Sequence, residues 1–404
     1  MPAIRFSLKQ SFPLVATLAL QAMVTIAIMA VPVIAPVVAA AFGISTAYAG
    51  LYVGLVYAGA IAGSLAAGGT VRGYGAIRIS QVGLLLSTAG LLLTVTGWLP
   101  AVVLGALVLG LGYALITPAS SHLLARTTPA QWMSLVFSLK QTGVPLGGAI
   151  AGAVVPALAL GLGWRGALLA LAVCNLLCIA AAQPLRRELD SDRTGGGFSL
   201  GKLYEPLLFL RSQPALARLT ACVFIFSVVQ LSLTTYLVTY LTGSLGYGLV
   251  AAGLVHTVSQ SGGMVGRVLW GFVADRWLDA PTMLAILAAV MCVASLATAL
   301  LAPWLPVWAV CAVLLVYGAT AVGWNGVFLA EVARQAPPGM AAMATGGTLA
   351  VTFLGSVIGP PLFGALSAWY GSYRAGFGAL VPLTALCFWG LMRIRRSERR
   401  LQPA

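Results

Sequence analysis

Long apolar stretches recur along almost the whole chain, and most of them reach the length of about 20 residues that a helix needs to cross a lipid bilayer. Hydrophobic residues make up 60% of the 404 residues and charged residues only 7%, whereas an ordinary soluble domain has about 25% charged residues. Inside a bilayer every backbone polar group needs a partner from the chain itself, and a helix supplies one. The sequence therefore predicts an all-α membrane protein.

Division of the apolar stretches at charged residues and at Gly and Pro turns predicts twelve membrane helices in two sets of six. The first set is predicted at 13–41, 45–68, 77–98, 101–125, 132–160 and 165–184. The second set is predicted at 216–241, 247–274, 281–302, 306–333, 340–367 and 374–392. This pattern predicts three parts, which are an N-terminal six-helix bundle (1–184), a mobile cytoplasmic linker (185–215) and a C-terminal bundle with a cytoplasmic tail (216–404).

Basic residues cluster in alternate loops, and this asymmetry predicts how the helices are oriented. Most of the 22 Lys and Arg residues fall on the side of the two termini, whereas Arg165 and Arg374 fall on the other side. Because cytoplasmic loops carry the excess of Lys and Arg, we expect a multi-pass protein of the bacterial inner membrane with both termini in the cytoplasm. The same distribution explains the net charge of +14 without nucleic acid as a partner.

The two halves of the chain resemble each other at a spacing of about 208 residues. Gly-Trp-Arg at 163–165 corresponds to Ser-Tyr-Arg at 372–374, and Ala-Arg-Thr-Thr-Pro at 125–129 corresponds to Ala-Arg-Gln-Ala-Pro at 333–337. Internal repeats of this kind are typical of carriers that open to the two sides of the membrane in turn.

A membrane-embedded enzyme is a less suitable interpretation of the same sequence. It would need a catalytic constellation such as paired His and Asp residues, and two well-separated histidines without a deep acidic residue do not supply one. The six cysteines lie in apolar stretches without a CxxC pair, which indicates helix packing. We therefore expect no catalytic residues, no cofactor and no metal site.

The loop after the eighth predicted helix contains Gly-Arg-Val-Leu-Trp-Gly-Phe-Val-Ala-Asp-Arg-Trp at 266–277. Here the chain resembles the major facilitator superfamily (MFS), whose signature G-x-L-A-D-R-x-G-R-R follows helices two and eight. The copy after helix two is degenerate, with Arg72 where the aspartate is expected. The resemblance implies the MFS fold of two pseudo-symmetric six-helix bundles. It also implies a cytoplasmic gate, in which an Asp at a helix end pairs with an Arg of the neighbouring helix in one state only. The residues expected in this gate are Asp275, Arg276, Glu331, Arg334 and Arg72.

Two cations, Lys140 and Arg267, fall near the middle of predicted helices five and eight. An intramembrane cation costs about 3 kcal/mol even on lenient scales, so it usually lies in a polar cavity or a pair. None of the eight acidic residues falls at this depth, which predicts a cavity of positive potential. The alternative interpretation is that both side chains extend to the cytoplasmic rim and act in the gate.

Uncharged polar residues at middle depth complete the predicted cavity, although each could equally hold helices together. With Lys140 and Arg267, the substrate-binding candidates are Gln21, Gln141, Gln230, Tyr236 and Asn325. His256, in the eighth predicted helix, is the mid-membrane side chain that titrates near neutral pH. It is the candidate proton site, or else a hydrogen-bonding group of the cavity.

Together these residues predict a secondary active transporter that moves a small organic anion, a carboxylate, by alternating access. Arg267 matches the helix-eight arginine of the monocarboxylate and oxalate–formate transporters, which the chain resembles here, and an arginine fork suits a carboxylate. We expect the substrate to bridge Lys140 and Arg267. Proton symport and anion exchange are both compatible with this prediction, and so are import and export. The expected partners are the anionic solute, a proton or counter-anion, and the lipid bilayer, and the protein is expected to be a monomer.

An exporter of drugs or amphipathic metabolites is the alternative within the same superfamily. It is favoured by Gly-Val-Pro-Leu-Gly-Gly at 143–148, which is similar to the Gly-Pro-x-x-Gly-Gly motif of exporters with one residue displaced. An exporter of cationic compounds would need an acidic residue in the cavity, and the sequence provides none at that depth.

Overall fold

The computed structural model describes residues 8–129, 132–191, 193, 205–337 and 340–401. Within these ranges the chain forms α-helices joined by short turns, and no β-strand. The helices are α1 (Leu8–Val33), α2 (Ala35–Phe42), α3 (Tyr48–Tyr74), α4 (Ala76–Val95), α5 (Leu99–Thr127), α6 (Met133–Gln141), α7 (Gly143–Ala182), α8 (Arg186–Leu189), α9 (Glu205–Ser212), α10 (Pro214–Leu245), α11 (Leu249–Arg276), α12 (Ala280–Ala299), α13 (Val307–Ala321), α14 (Asn325–Gln335), α15 (Ala341–Trp369) and α16 (Tyr373–Leu401).

Nine helical spans of the described residues are long and apolar enough to cross a membrane. One of them, Val136–Ala182, contains two of the predicted crossings, because Gly163 has a φ of 73° and turns the chain within α7. The remaining two crossings are α3, whose apolar part is shorter, and α11, which carries Arg267. The prediction of an all-α fold with twelve membrane helices is confirmed.

Three predicted helices are each divided into two in the structure. The fifth predicted helix, 132–160, ends as α6 at Gln141 and resumes as α7 at Gly143. The first predicted helix, 13–41, is interrupted at Ile34, and α2 begins with a proline in its first turn. Proline has no N–H group to continue a helix but is well tolerated at a helix start, which accounts for this break.

The tenth predicted helix, 306–333, is interrupted between α13 and α14 by a turn over 322–324. Gly323 in this turn lies against α11, since a Cβ placed on Gly323 would lie 3.0 Å from the Cα atom of Gly266. Absence of a side chain at both positions allows this close approach of the two backbones. The turn lies next to several predicted site residues.

The described residues divide into two compact units. The first unit comprises residues of Met1–Met29, Ala58–Gly148 and Arg165–Gly201, and the second comprises residues of Ala30–Tyr57, Ala149–Trp164 and Lys202–Ala404. The second unit therefore contains, besides the C-terminal repeat, parts of α1, α3 and α7 and all of α2.

Asp190, which the sequence places in the mobile linker, is buried in the first unit with 3% of its surface exposed. Its Oδ1 atom accepts a hydrogen bond from the N–H of Ile77 at 2.8 Å, and its Oδ2 atom accepts one from the N–H of Arg78 at 3.0 Å. These N–H groups belong to the first turn of α4, which has no helical partner for them. Asp190 thus caps α4 and fixes the beginning of the linker to the first unit.

Tyr236 of α10 connects the C-terminal repeat to the beginning of α3 within the second unit. Its hydroxyl group donates a hydrogen bond to the carbonyl of Ala47 at 2.5 Å and accepts one from the N–H of Gly50 at 2.8 Å. Its ring stacks on Phe363 with a centroid distance of 4.8 Å. A Cβ on Gly364 would overlap the Tyr236 hydroxyl, so glycine at this position makes the contact possible.

We expect Tyr236→Phe to loosen the first turn of α3, because the carbonyl of Ala47 and the N–H of Gly50 both lose a partner. A net loss of about 1 kcal/mol for each of the two hydrogen bonds corresponds to amide exchange in that turn that is faster by roughly 5- to 30-fold. Hydrogen–deuterium exchange with mass spectrometry of the detergent-solubilised protein measures this. Tyr240→Phe is the matched control, since the Tyr240 hydroxyl is also buried but donates to the carbonyl of Thr298 in α12. Equal exchange at 46–52 in the wild type and Tyr236→Phe would contradict the expectation.

Candidate functional site

Arg267 of α11 is buried in the second unit, with 6% of its surface exposed. Its Nε atom donates a hydrogen bond to the carbonyl of Val322 at 3.1 Å, and the side-chain amide of Asn325 donates to the same carbonyl at 3.4 Å. Val322 is the first residue of the turn between α13 and α14. A helix end leaves carbonyl groups without helical partners, so the interruption supplies an acceptor that binds the arginine.

Gln230 of α10 lies on the other side of Asn325. Its Oε1 atom accepts hydrogen bonds from the indole Nε1 of Trp324 at 2.9 Å and from the side-chain amide of Asn325 at 3.4 Å. The structure thus joins three residues predicted from the sequence, Arg267, Gln230 and Asn325, through the turn at 322–324.

Trp324 is a member of this cluster that sequence reasoning missed. It is 1% exposed and packs against Phe226 and Phe328 with ring centroids 5.7 and 5.8 Å away. An aromatic residue in an apolar stretch is most simply interpreted as core. The sequence feature that could have indicated Trp324 is its position directly before Asn325, in a stretch with two nearby glycines.

A second polar cluster lies within the first unit. Lys140 of α6 is 1% exposed, and its Nζ atom donates to the carbonyl of Thr117 in α5 at 3.4 Å. The Thr117 hydroxyl donates to the Oε1 atom of Gln21 in α1 at 3.0 Å. Thr117, also missed from the sequence, directly precedes Pro118, whose missing N–H group interrupts the regular bonding of α5. Gln141 follows Lys140 and is half-buried.

His256 is fully buried where α11 crosses α7 in the second unit. A Cβ on Gly152 would lie 2.7 Å from the carbonyl oxygen of Gly253 and 3.0 Å from the Cδ2 atom of His256. The Thr257 hydroxyl donates across the same crossing to the carbonyl of Ala149 at 2.8 Å. The Nε2 atom of His256 lies 3.3 Å from the side-chain nitrogen of Gln260. The candidate proton site is therefore part of a tight helix contact.

Tyr236, a further substrate-binding candidate, is fully buried. Its hydroxyl group bonds to the backbone at the beginning of α3. The structure therefore places it in the contact between α10 and α3. The hydrogen bonds described for its hydroxyl group do not involve Arg267, Gln230 or Asn325.

The residues predicted for the gate lie at the ends of α11 and α14 in the second unit. Asp275 and Arg276 are exposed at the end of α11. Glu331 is 2% exposed, and its carboxylate accepts hydrogen bonds from the Nε of Arg334 at 2.8 Å and from the side-chain amide of Gln335 at 2.7 Å. Glu331 and Arg334 thus pair on one helix. Arg72 falls within α3, and its side chain lies outside the described residues.

Comparison with known proteins places the chain in a family. The model of the Major Facilitator Superfamily matches residues 17–348. The chain is 27% identical over 301 residues to a gentisate transporter of Corynebacterium glutamicum, which covers 71% of this chain and 66% of the relative. It is also 27% identical over 263 residues to the uncharacterized MFS-type transporter MT3072 of Mycobacterium tuberculosis, covering 61% of this chain and 54% of the relative. Each match thus spans less than two thirds of the relative.

Solved structures show the same fold. A bacterial homologue of the human lysosomal transporter Spinster, inward-facing and unoccupied, matches with a TM-score of 0.80 and 16% identity, over 99% of this chain and 100% of that one. The nucleoside transporter NupG matches with a TM-score of 0.74 and 12% identity, over 94% of this chain and 99% of that one. With the family model matching most of its length, the chain belongs to the major facilitator superfamily.

Proposed function

We propose that this protein is a transporter that moves a small organic anion by alternating access, and that Arg267 binds the carboxylate of the substrate. The observation that carries the proposal is the hydrogen bond from Arg267 Nε to the carbonyl of Val322, because it fixes the plane of a buried guanidinium group at an interrupted helix. Broken helices in secondary transporters commonly form substrate sites. A fixed, planar arginine is suited to recognise a carboxylate in two-point contact.

The location of the acidic residues supports an anionic substrate. All eight lie in the linker, in loops, at a helix end or in the tail of the sequence, so a cationic solute has no counter-charge at the depth of Lys140 and Arg267. The name of the Corynebacterium relative, a gentisate transporter, adds support, since gentisate is a hydroxylated aromatic carboxylate. We therefore include aromatic acids beside the monocarboxylates and oxalate-like acids that the sequence indicates.

The exporter alternative has less support. A Cβ on Gly147 would lie 2.6 Å from the Cβ of Thr25, and a Cβ on Gly143 would lie 3.1 Å from the Cβ of Gln21. These glycines allow the beginning of α7 to pack closely on α1 in the first unit, as small residues commonly do in membranes. Helix packing alone thus explains the Gly-Val-Pro-Leu-Gly-Gly segment.

We also propose that the chain lies in the bacterial inner membrane with both termini in the cytoplasm. The loops that are poor in Lys and Arg carry exposed tryptophans, among them Trp98, Trp304 and Trp369, which are 67%, 84% and 85% exposed. Tryptophan is enriched at membrane–water interfaces, so these side chains suit the interface on the far side from the termini.

We expect Arg267→Ala to lower carboxylate uptake at limiting concentration by about 10- to 100-fold, since hydrogen bonds to charged groups contribute about 1.5–3 kcal/mol. Arg267→Lys keeps the charge but not the fork, so its rate should lie between those of Arg267→Ala and the wild type. Lys140→Ala tests the second cation in the same way. The measurement is uptake of radiolabelled acetate, lactate, succinate, benzoate and gentisate into proteoliposomes.

Arg218→Ala is the control for this series, because Arg218 is exposed and its Nε atom donates to the carbonyl of Pro214 in its own helix. Its uptake should equal that of the wild type. Unchanged uptake by Arg267→Ala, or a wild type that transports none of the five acids, would contradict the proposed function.

We propose the proton as the coupling ion and His256 as its carrier. His256→Gln keeps a polar side chain at the α7–α11 crossing but cannot take up a proton, so we expect it to lose the stimulation of uptake by an inward-directed pH gradient and to retain anion exchange. His122→Gln is the matched control and should retain the stimulation. If the pH gradient stimulates uptake by His256→Gln as much as by the wild type, another group carries the proton. If the gradient does not stimulate uptake by the wild type, anion exchange is favoured over proton symport.

A further inference from the structure

The sequence repeat places two glutamines at equivalent positions of the two halves. Gln21 in α1 and Gln230 in α10 are 209 residues apart, and each is followed four residues later by a threonine. In both halves this threonine hydroxyl donates to the backbone carbonyl of the glutamine, at 2.8 Å for Thr25 and 3.0 Å for Thr234. The two segments thus share a local structure as well as a sequence pattern.

The hydrogen-bond partners of the two glutamine side chains are equivalent as well. Thr117 and Asn325 are 208 residues apart. The Thr117 hydroxyl donates to Gln21 Oε1 at 3.0 Å, and the Asn325 amide donates to Gln230 Oε1 at 3.4 Å. In each half, therefore, the fourth membrane helix donates to the side-chain oxygen of the glutamine in the first.

Chemistry fixes which end of the Gln230 amide is occupied. The indole Nε1–H of Trp324 is a donor only, so the Gln230 atom 2.9 Å away must be the acceptor oxygen. With that oxygen bound by Trp324 and Asn325, the NH2 end of Gln230 remains as the group that another molecule can contact. The amide can then offer only donors.

Gln21 gives independent evidence that one end of the amide is available to a ligand. Gln21 is 1% exposed, and its Nε2 atom is buried without a hydrogen-bond partner in the described structure. Buried polar groups without a partner are rare and unfavourable. A role as a connection between helices explains the bonded Oε1 atom but leaves Nε2 unexplained, whereas an acceptor oxygen on a substrate would satisfy it.

We propose that Gln21 and Gln230 are equivalent substrate-binding groups, one in each half, and that Thr117, Trp324 and Asn325 hold them as hydrogen-bond donors. The inference rests on the proposed function and specifies it further. Each glutamine by itself offers donors, so the preferred solute carries acceptor oxygens and no ammonium group. Trp324 is a positioning residue that acts through Gln230.

The first test compares binding of two acids, sodium benzoate and sodium lactate, to the purified full-length wild type and to Gln21→Met and Gln230→Met by isothermal titration. Methionine has a similar length but offers no donor. Each substitution should raise the Kd of a bound acid by about tenfold or more, as expected for a lost hydrogen bond to a charged group. A Kd within twofold of the wild type for either variant would overturn the equivalence of the two glutamines.

The second test separates positioning by Trp324 from a structural role. Trp324→Phe removes the shorter of the two hydrogen bonds to the Gln230 oxygen and leaves the Asn325 amide at 3.4 Å, so the oxygen can turn toward the ligand. A carboxylate rejects that orientation and a primary amide tolerates it. The ratio of the Kd values of benzamide and benzoate should therefore fall at least threefold, while Gln230→Met should abolish any further effect of Trp324→Phe. Trp270→Phe is the matched control, because the Trp270 indole donates to the carbonyl of Ala319 at 2.7 Å and not to a glutamine.

The outcomes distinguish this inference from the proposed function. If Trp324→Phe weakens the binding of benzoate and of benzamide equally, Trp324 has a structural role. This result would overturn the proposal that Trp324 positions Gln230. A wild type that binds neither benzoate nor lactate would overturn the proposed function and this inference with it. If the wild type binds an acid and both glutamine variants bind it with the same affinity, this result would overturn the inference alone.

Discussion

Lipid offers no hydrogen bonds to a peptide group, and this constraint determines where the chain can be other than helical. The turn at 322–324 is such a place, and it is buried in the protein. The carbonyl of Val322 accepts from Arg267 Nε and from the Asn325 amide. An unsatisfied carbonyl and a buried arginine would each cost free energy. Because each satisfies the other, the interrupted helix and the intramembrane cation depend on one another.

The same constraint limits what can hold helices together. Lipid tails are as apolar as leucine, so close packing of small residues and hydrogen bonds replace the hydrophobic effect between helices. Gly152 and Gly253 are an example of close packing of small residues, and Tyr236 is an example of a hydrogen bond between helices. These contacts are individually weak, with about 1 kcal/mol net for a typical hydrogen bond.

The helices, the repeat and the burial of the two cations were predictable, since they depend on local composition and on spacing along the chain. The burial of Lys140 and Arg267 follows from their position in apolar stretches, and the structure agrees. Asp190 was not predictable as a cap, because its partners in α4 are more than a hundred residues earlier in the chain. Trp324 was missed for a related reason. Its indole group becomes informative only when Gln230 is known to lie beside it.

Charge and hydrogen-bond polarity act together in both polar clusters. Lysine and arginine have no acceptor atoms, and the hydrogen bonds described for Lys140 and Arg267 go to the backbone carbonyls of Thr117 and Val322. The glutamine oxygens, which could have offered acceptors, already accept from Thr117 and Trp324. Positive charge alone would attract any anion, including chloride. Donors that are fixed in direction add discrimination by shape. Only a solute whose oxygens meet these donors regains the hydrogen bonds that it loses on leaving water. Under the proposed function, selectivity among anions would therefore depend on the neutral residues that orient the glutamines as much as on the two cations.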